Sequence, residues 1–384
     1  MTQTDPQSDR ARRRDLRLAE IRAGAARLIS PPATVNIEFS GRCNVWPPCT
    51  YCVGKNKPGY EEPPHIPQEQ LESYMPWLLA ADRVNDTTYG EPLMYPGIHE
   101  LIDRLGSAGV KFGFTSNGLL LSERKARLLA AHGEHVDVCI SVNAASAETY
   151  FAHQGKSFEL LIGNIERFIR IHAEVRPGKP LPLILSFIVM QSNKHEVVDF
   201  VRLCTRLGVQ RILFRHLFDL HEDAFQTRQF GHDFVYGRER LAFEEYRQIE
   251  REVHESGEAR APGLTILFAW NSRSSFLNEQ AEPGVDIPCL FPWKFLCIRP
   301  IHGYYTPCVY LKKGIASTTE PVERVWNGEV MQGLRLSLAR GEVPRFCCEN
   351  SDICPLVLEK RARETRPAEP GHPRNISLPV LAGA

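Results

Sequence analysis

The stretch that decides the fold runs from Thr34 to Cys52, TVNIEFSGRCNVWPPCTYC. A short β-prone run, Val35 to Phe39, leads directly into three cysteines, Cys43, Cys49 and Cys52, spaced C-x5-C-x2-C. Thiolates suit zinc and iron–sulfur clusters. A cubane cluster has four irons, so three cysteines leave one iron open to a small molecule. That is the arrangement of a reactive centre; structural sites are usually closed. The residues also leave open a zinc knuckle completed elsewhere, for example by His65.

Working outward, short apolar runs alternate with amphipathic segments up to about residue 220. The candidate strands are Val35–Phe39, Arg83–Thr88, Lys111–Ser116, Val136–Val142, Leu183–Met190 and Arg211–His216. Helical patterns fall between them, including Ser122–Ala131, Ser157–His172 and Lys194–Leu207. Six strand–helix alternations predict a parallel sheet with helices outside. In such folds function collects at the carboxyl ends of strands.

The 384 residues are 43% hydrophobic and 24% charged, with a formal net charge of zero. Nothing in that balance favours nucleic acid or a membrane surface. No apolar run approaches the roughly 20 residues of a membrane helix, and the N-terminus lacks a signal-peptide core. Eleven cysteines without an export signal read as metal ligands and core thiols of a cytoplasmic protein. Residues 1–30 form a basic helical extension with four arginines between Arg10 and Arg14; Leu16, Leu18, Ile21 and Leu28 can make its docking face. Residues 31–220 are the barrel, 221–262 a helical connector, 263–360 a second cysteine-bearing module and 361–384 a tail rich in Pro and Arg.

The cysteine loop resembles that of the radical S-adenosylmethionine (SAM) enzymes. Their usual spacing is C-x3-C-x2-C with an aromatic before the last cysteine, the place held here by Tyr51; the first gap is two residues longer, with Pro47 and Pro48 inside it. Tyr89-Gly90-Glu91-Pro92 ends the second strand and resembles the family's Gly-Gly-Glu segment, which implies that Gly90 and Glu91 meet the amino group of SAM. Ser116-Asn117-Gly118 ends the third strand and resembles a Thr-Asn-Gly turn lining the cofactor. Ser141 and Asn143 end the fourth, where the family usually has Ser-x-Asp at the ribose or carboxylate; residues two apart on a strand share a face. Gln154-Gly155 replaces the family's Arg-Gly pair, so no arginine contact transfers. Ser186 on the fifth strand, and Arg215 or His216 on the sixth, are further lining candidates. The implied architecture is α/β, a partial six-unit TIM-like barrel.

A second cluster reads Cys289, Cys297, Gly303, Cys308, then Cys347, Cys348 and Cys354. It resembles the SPASM and twitch extensions of radical SAM enzymes, small α+β modules in which a hairpin carries an auxiliary four-iron cluster. Six cysteines, against seven in a full SPASM domain, imply one auxiliary cluster. The expected ligands are Cys289, Cys308, Cys348 and Cys354, with Cys297 the substitute; a four-cysteine zinc ribbon is the alternative. Cys139 and Cys204 fall in strand and helix patterns and read as core thiols.

The resemblance implies catalytic Cys43, Cys49 and Cys52 holding a four-iron cluster, reductive cleavage of SAM to a 5′-deoxyadenosyl radical, and hydrogen abstraction from substrate. The electron donor would be of flavodoxin or ferredoxin type. The expected substrate is a small polar metabolite, a sugar or aminocyclitol of natural-product biosynthesis, oxidised or epimerised. About thirty residues before the barrel leave little room for a peptide-recognition domain. Maturation of a ribosomal peptide is the alternative, and a non-catalytic zinc or iron–sulfur protein the contrasting class.

Overall fold

The computed structural model describes residues 6–52, 54–56, 59–217, 225–269 and 281–365. Its principal strands are β1 (Thr34–Ile37), β2 (Arg83–Asp86), β3 (Lys111–Ser116), β4 (Val136–Ser141), β5 (Leu183–Val189) and β6 (Arg211–His216). They pair in chain order, all parallel. Helices α2 (Gln68–Ala80) and α3 (Ile98–Ser107), then α4 (Glu123–Ala131), α5 (Ala147–Gln154), α6 (Phe158–Val175) and α7 (Val197–Leu207) fill the intervals, and α1 (Pro6–Arg22) precedes β1. Ser122, Ser146 and Ser157 cap α4, α5 and α6 by accepting from backbone N–H groups of the first turn.

The period of two along the strands sorts the barrel. Val35, Ile37, Val84, Phe112, Phe114, Val138, Ile140, Leu185, Phe187, Ile212 and Phe214 belong to one buried apolar core. The alternate positions are polar and bond across the strands. Asn85 donates to Asn36 at 3.0 Å, and Asp137 is bridged by Arg83 at 2.9 Å and Arg211 at 3.0 Å. A strand with one apolar and one polar face needs water or ligand on the polar side, so this barrel is not packed solid.

Three features depart from the sequence reading. The hairpin β7 (Gln226–Gln229) and β8 (His232–Val235) occupies part of the expected helical connector and packs on the cysteine loop. There Thr227 donates to the Thr50 carbonyl, and Phe230 covers Gly155, where a Cβ would lie 2.1 Å from the ring. The expected separate module shares the barrel's sheet: β9 (Thr265–Ala269) pairs with β6, and β10 (Phe295–Arg299) pairs with β1. Antiparallel β11 (Tyr304–Thr306) and β12 (Ala316–Ser317) continue that edge, giving ten strands in the order β12-β11-β10-β1-β2-β3-β4-β5-β6-β9. Gly303 turns the β10–β11 hairpin with φ of 80°, the left-handed region that glycine enters freely. Finally, residues 361–365 are not tail but the end of the helix Pro355–Thr365; residues 366–384 lie outside the described set.

The basic extension is bound to the body. Arg10 donates to the carbonyls of Ala108 and Gly109, Arg12 and Arg13 pair with Asp9, and Arg17 pairs with Asp82 at 2.8 Å. Ile21 and Leu28 enter the core. No helix among the described residues is long and apolar enough to cross a membrane.

Candidate functional site

The cysteine loop is fastened to the β2 turn by backbone contacts. Glu91 N–H donates to the Arg42 carbonyl at 2.7 Å, and the Ser40 hydroxyl donates to the Glu91 carbonyl at 2.9 Å. A Cβ on Gly90 would lie 2.3 Å from the Ser40 oxygen and 2.6 Å from the Arg42 oxygen. Glycine is therefore required here by the approach of the loop's own backbone. Further along, Cys52 N–H donates to Cys49 at 2.9 Å, and Thr50 N–H to His153 at 2.9 Å. Glu62 accepts from Cys43 N–H at 2.9 Å and from Lys55 at 2.8 Å.

Cys43, Cys49 and Cys52 sit close enough for their charges to interact, and burial pushes all three thiols up. A metal centre here must therefore displace protons as it binds. They border a cavity of about 760 Å³ that also touches Gly90, Glu91, Ser116, Asn117, Ser141, Arg215 and His216. His65, the alternative fourth ligand, meets Ser40 at 3.2 Å and the edge of Tyr95 instead. Among the described residues no group of three or more Cys, His, Asp or Glu closes around a single metal ion. Three soft donors beside an open cavity fit a polynuclear cluster with a free coordination position.

Glu91 is buried, and its carboxylate accepts from Ser116 Oγ at 2.7 Å, Leu93 N–H at 3.0 Å and Asn117 N–H at 2.8 Å. Burial raises its pKa against those three donors. Two of the bonds fall on Oε1 and one on Oε2, so one acceptor position of Oε2 stays open beside the cavity. Asn117 also donates to Asn44 at 2.8 Å and approaches the Cys43 sulfur at 3.8 Å, tying the third strand's turn to the cysteine loop.

Ser141 faces the cavity, but Asn143 does not share its exposure. Asn143 is fully buried at φ of 60°, accepting from Ile188 N–H at 2.7 Å and donating to Tyr51 at 2.7 Å and Ser141 at 2.9 Å. The left-handed backbone takes it off the strand's alternation, so the two-residue rule fails there. Ser186 is likewise buried and donates to the Ile140 carbonyl at 3.4 Å, away from the cavity lining. Gln154 donates to the Val142 carbonyl at 3.0 Å.

A second lobe of about 640 Å³ lies over the polar inner face of the barrel, and Thr88, Tyr89, Thr115, Arg215 and Arg299 line both lobes. Arg215 Nε is buried with no hydrogen-bond partner among the described residues. Asp86 borders the inner lobe; burial pushes its carboxyl up to about 7, against hydrogen bonds from Thr88. Cys139 and Cys297 border it too. Sequence reasoning had no signal for Asp86, nor for Glu38, which is buried and holds Arg299 and His302 at 2.7 Å each, locking the β10–β11 hairpin over the cavity.

The second thiol set differs from the expected one. Cys289, Cys308, Cys347 and Cys354 surround a small apolar cavity with Phe291, Leu334 and Leu356, and burial raises all four thiols. Cys348 does not line it. Both adjacent cysteines sit in the helix Arg345–Asn350, whose turn of about 100° per residue gives them different directions, and Cys348 still lies near enough for its charge to act on Cys347 and Cys354. Cys297, the expected substitute, does not line it; it lies on β10 paired with Thr306 of β11, where burial pushes it up to about 11. Cys308 borders both this set and the inner lobe.

An open parallel β/α barrel with three thiols at the mouth of a cavity over its polar face offers soft donors beside room for a small molecule. Residues 37–204 match the family described as the Radical SAM superfamily. The probable GTP 3′,8-cyclase of Saccharolobus islandicus (strain Y.N.15.51 / Yellowstone #2) is 30% identical over 170 residues, 44% of this chain and 47% of that protein. The sporulation killing factor maturation protein SkfB of Bacillus subtilis (strain 168) is 25% identical over 281 residues, 72% of this chain and 60% of that one. The chain spans about half the length of the first of these curated relatives and less than two thirds of the second. Streptococcus suis SuiB, solved bound to its precursor peptide SuiA, has the same fold with a TM-score of 0.61, at 15% identity over 83% of this chain and 69% of that chain.

Proposed function

We propose that this chain is a radical SAM enzyme that modifies a peptide, with a second iron–sulfur cluster on its C-terminal thiols. The observation that carries the reading is the two-lobed cavity, one lobe bordered by Cys43, Cys49 and Cys52 and the other by Cys308. A substrate group in the inner lobe would lie between the two thiol sets. The bound cluster and SAM supply a 5′-deoxyadenosyl radical able to take hydrogen from a C–H bond. Cys43, Cys49 and Cys52 would hold the first cluster, and Cys289, Cys308, Cys347 and Cys354 the second. Glu91 Oε2 would accept from the SAM ammonium, with Ser141 and Asn117 beside it. Arg215 and Asp86 would orient the substrate in the inner lobe, and the hairpins β7–β8 and β10–β11 would exclude water from the mouth.

The peptide reading, the alternative from sequence, is supported by SkfB, whose match spans 72% of this chain, and is favoured over the sugar or aminocyclitol expected first. One observation favours a small polar metabolite as second reading: the inner lobe is lined by Arg83, Asp86, Asp137 and Arg215. The test uses anaerobically reconstituted protein with reductant and SAM. Replacing Cys43, Cys49 and Cys52 together by Ala is expected to abolish 5′-deoxyadenosine release while the second set keeps its iron; undiminished release ends the reading. Candidate precursor peptides and an aminocyclitol panel are then compared by product mass. A peptide that loses two hydrogens supports the proposal, and turnover of an aminocyclitol alone overturns it.

A further inference from the structure

The inner face of the barrel carries one guanidinium with nothing to pair with. Residues two apart on a strand share a face, so Arg211 and Arg215 stand on the same side of β6. Arg211 is bonded to Asp137 at 3.0 Å. Arg215, at the carboxyl end of the strand, has no ion pair or hydrogen bond from its side chain among the described residues, and its Nε is buried. The sheet register explains why. Its neighbours are Ile188 on β5 and Ala269 on β9, and neither side chain carries an acceptor. The side chain nevertheless borders both lobes of the cavity.

Every other arginine or lysine bordering either lobe has a carboxylate. Lys55 pairs with Glu62 at 2.8 Å, Arg83 with Asp137 at 2.9 Å and Arg299 with Glu38 at 2.7 Å. The acids that border the lobes are engaged elsewhere. Glu38 also holds His302, Asp137 serves both Arg83 and Arg211, Asp86 accepts from Thr88, and Glu91 accepts from Ser116, Leu93 and Asn117. None of them reaches Arg215. A partly buried cation without an acceptor is unfavourable, and an incoming anion relieves it. One Asp137 shared between two guanidinia leaves the same face with more positive than negative charge. The guanidinium is a planar fork of donors that matches the two oxygens of a carboxylate, and carboxylates are the ionised acids of an unmodified peptide.

We infer that Arg215 is the specificity-determining residue of this cavity: it binds a carboxylate of the peptide substrate where the two lobes join, either an Asp or Glu side chain or a free C-terminus. The inference rests on the peptide reading and names the group by which the peptide is recognised. The carboxylate of SAM is the competing occupant. It sits on the same carbon as the ammonium, whose acceptor would be Glu91, and Glu91 borders only the lobe of the three cysteines. Arg215 also borders the inner lobe, where the substrate would lie.

The experiment uses the full chain with both thiol sets reconstituted and the precursor peptide whose mass changes with SAM. That peptide is remade with each Asp or Glu replaced in turn by Asn or Gln, and separately with its C-terminus amidated. On the unaltered protein one of these neutral forms is expected to lose roughly ten- to a hundredfold in kcat/KM, the scale of one charge-assisted hydrogen bond, and the form that loses it identifies the source of the carboxylate. No loss for any neutral form overturns the assignment and leaves the peptide reading in place. Turnover of an aminocyclitol alone, which has no carboxylate, ends both. Arg215→Met should lose as much with the native peptide, and neutralising the peptide should then add little; equal losses in both backgrounds overturn the pairing. SAM affinity of Arg215→Met, measured by isothermal titration calorimetry, should match the parent, and a marked fall would give Arg215 to the SAM carboxylate instead. The melting temperature of Arg215→Met without peptide should hold or rise, because an unpaired cation is removed; a fall with loss of iron would make Arg215 a structural brace.

Discussion

Replacing Gly90 by Ala tests whether the cysteine loop is held by backbone approach. The new Cβ would stand 2.3 Å from the Ser40 oxygen, 2.6 Å from the Arg42 oxygen and 3.0 Å from the Arg42 nitrogen. The first contact is roughly 1 Å too short for van der Waals packing, and none of these backbone atoms can swing aside. The loop entering Cys43 must move, with the 2.7 Å bond from Glu91 N–H to Arg42 at risk. Overpacking of this kind costs about 1–3 kcal/mol and the lost hydrogen bond about 1 kcal/mol. Gly90 lies outside the left-handed region, so alanine recovers about 0.4–1 kcal/mol through the unfolded chain. The expected net loss is about 1–4 kcal/mol. Urea unfolding under argon measures it, and iron analysis should show depletion confined to the first thiol set. Gly54→Ala is the control, since its nearest neighbour is the Tyr89 ring at 3.8 Å. Wild-type stability and full iron in Gly90→Ala would refute the reasoning.

Two further outcomes follow from the same geometry. Cys347→Ser should lose the iron of the second set, whereas Cys348→Ser should keep it; equal loss in both would return Cys348 to the ligand set. Asp86 gives a pH signature. Its carboxyl is raised from 3.8 to about 7, so its stabilising contribution is complete below about pH 4 and is lost as pH rises through 7. Asp86→Asn should therefore raise the melting temperature relative to the parent at pH 8 and much less at pH 4; equal increments at both would contradict the raised carboxyl.

The sequence by itself determined the six central strands, because their period-two patterning and capping serines are local properties of the chain. β3 and β6 match their expected limits, and Ser122 and Ser157 cap the helices they were expected to open. It also gathered Cys43, Cys49 and Cys52, since ten residues of chain cannot carry them far apart. Only the tertiary structure decided the rest. Whether Cys347 or Cys348 points inward depends on the phase of one short helix against its neighbours, which residue types do not encode. The β10–β11 hairpin joins β1 across more than two hundred residues of chain, bringing Arg299 and His302 to Glu38, a pairing with no local signal. Asn143 was expected to meet the cofactor, and one left-handed residue turned its amide toward Tyr51 instead. A strand's alternation predicts the direction of a side chain only while the backbone stays extended, and at the strand ends, where sites are built, it does not.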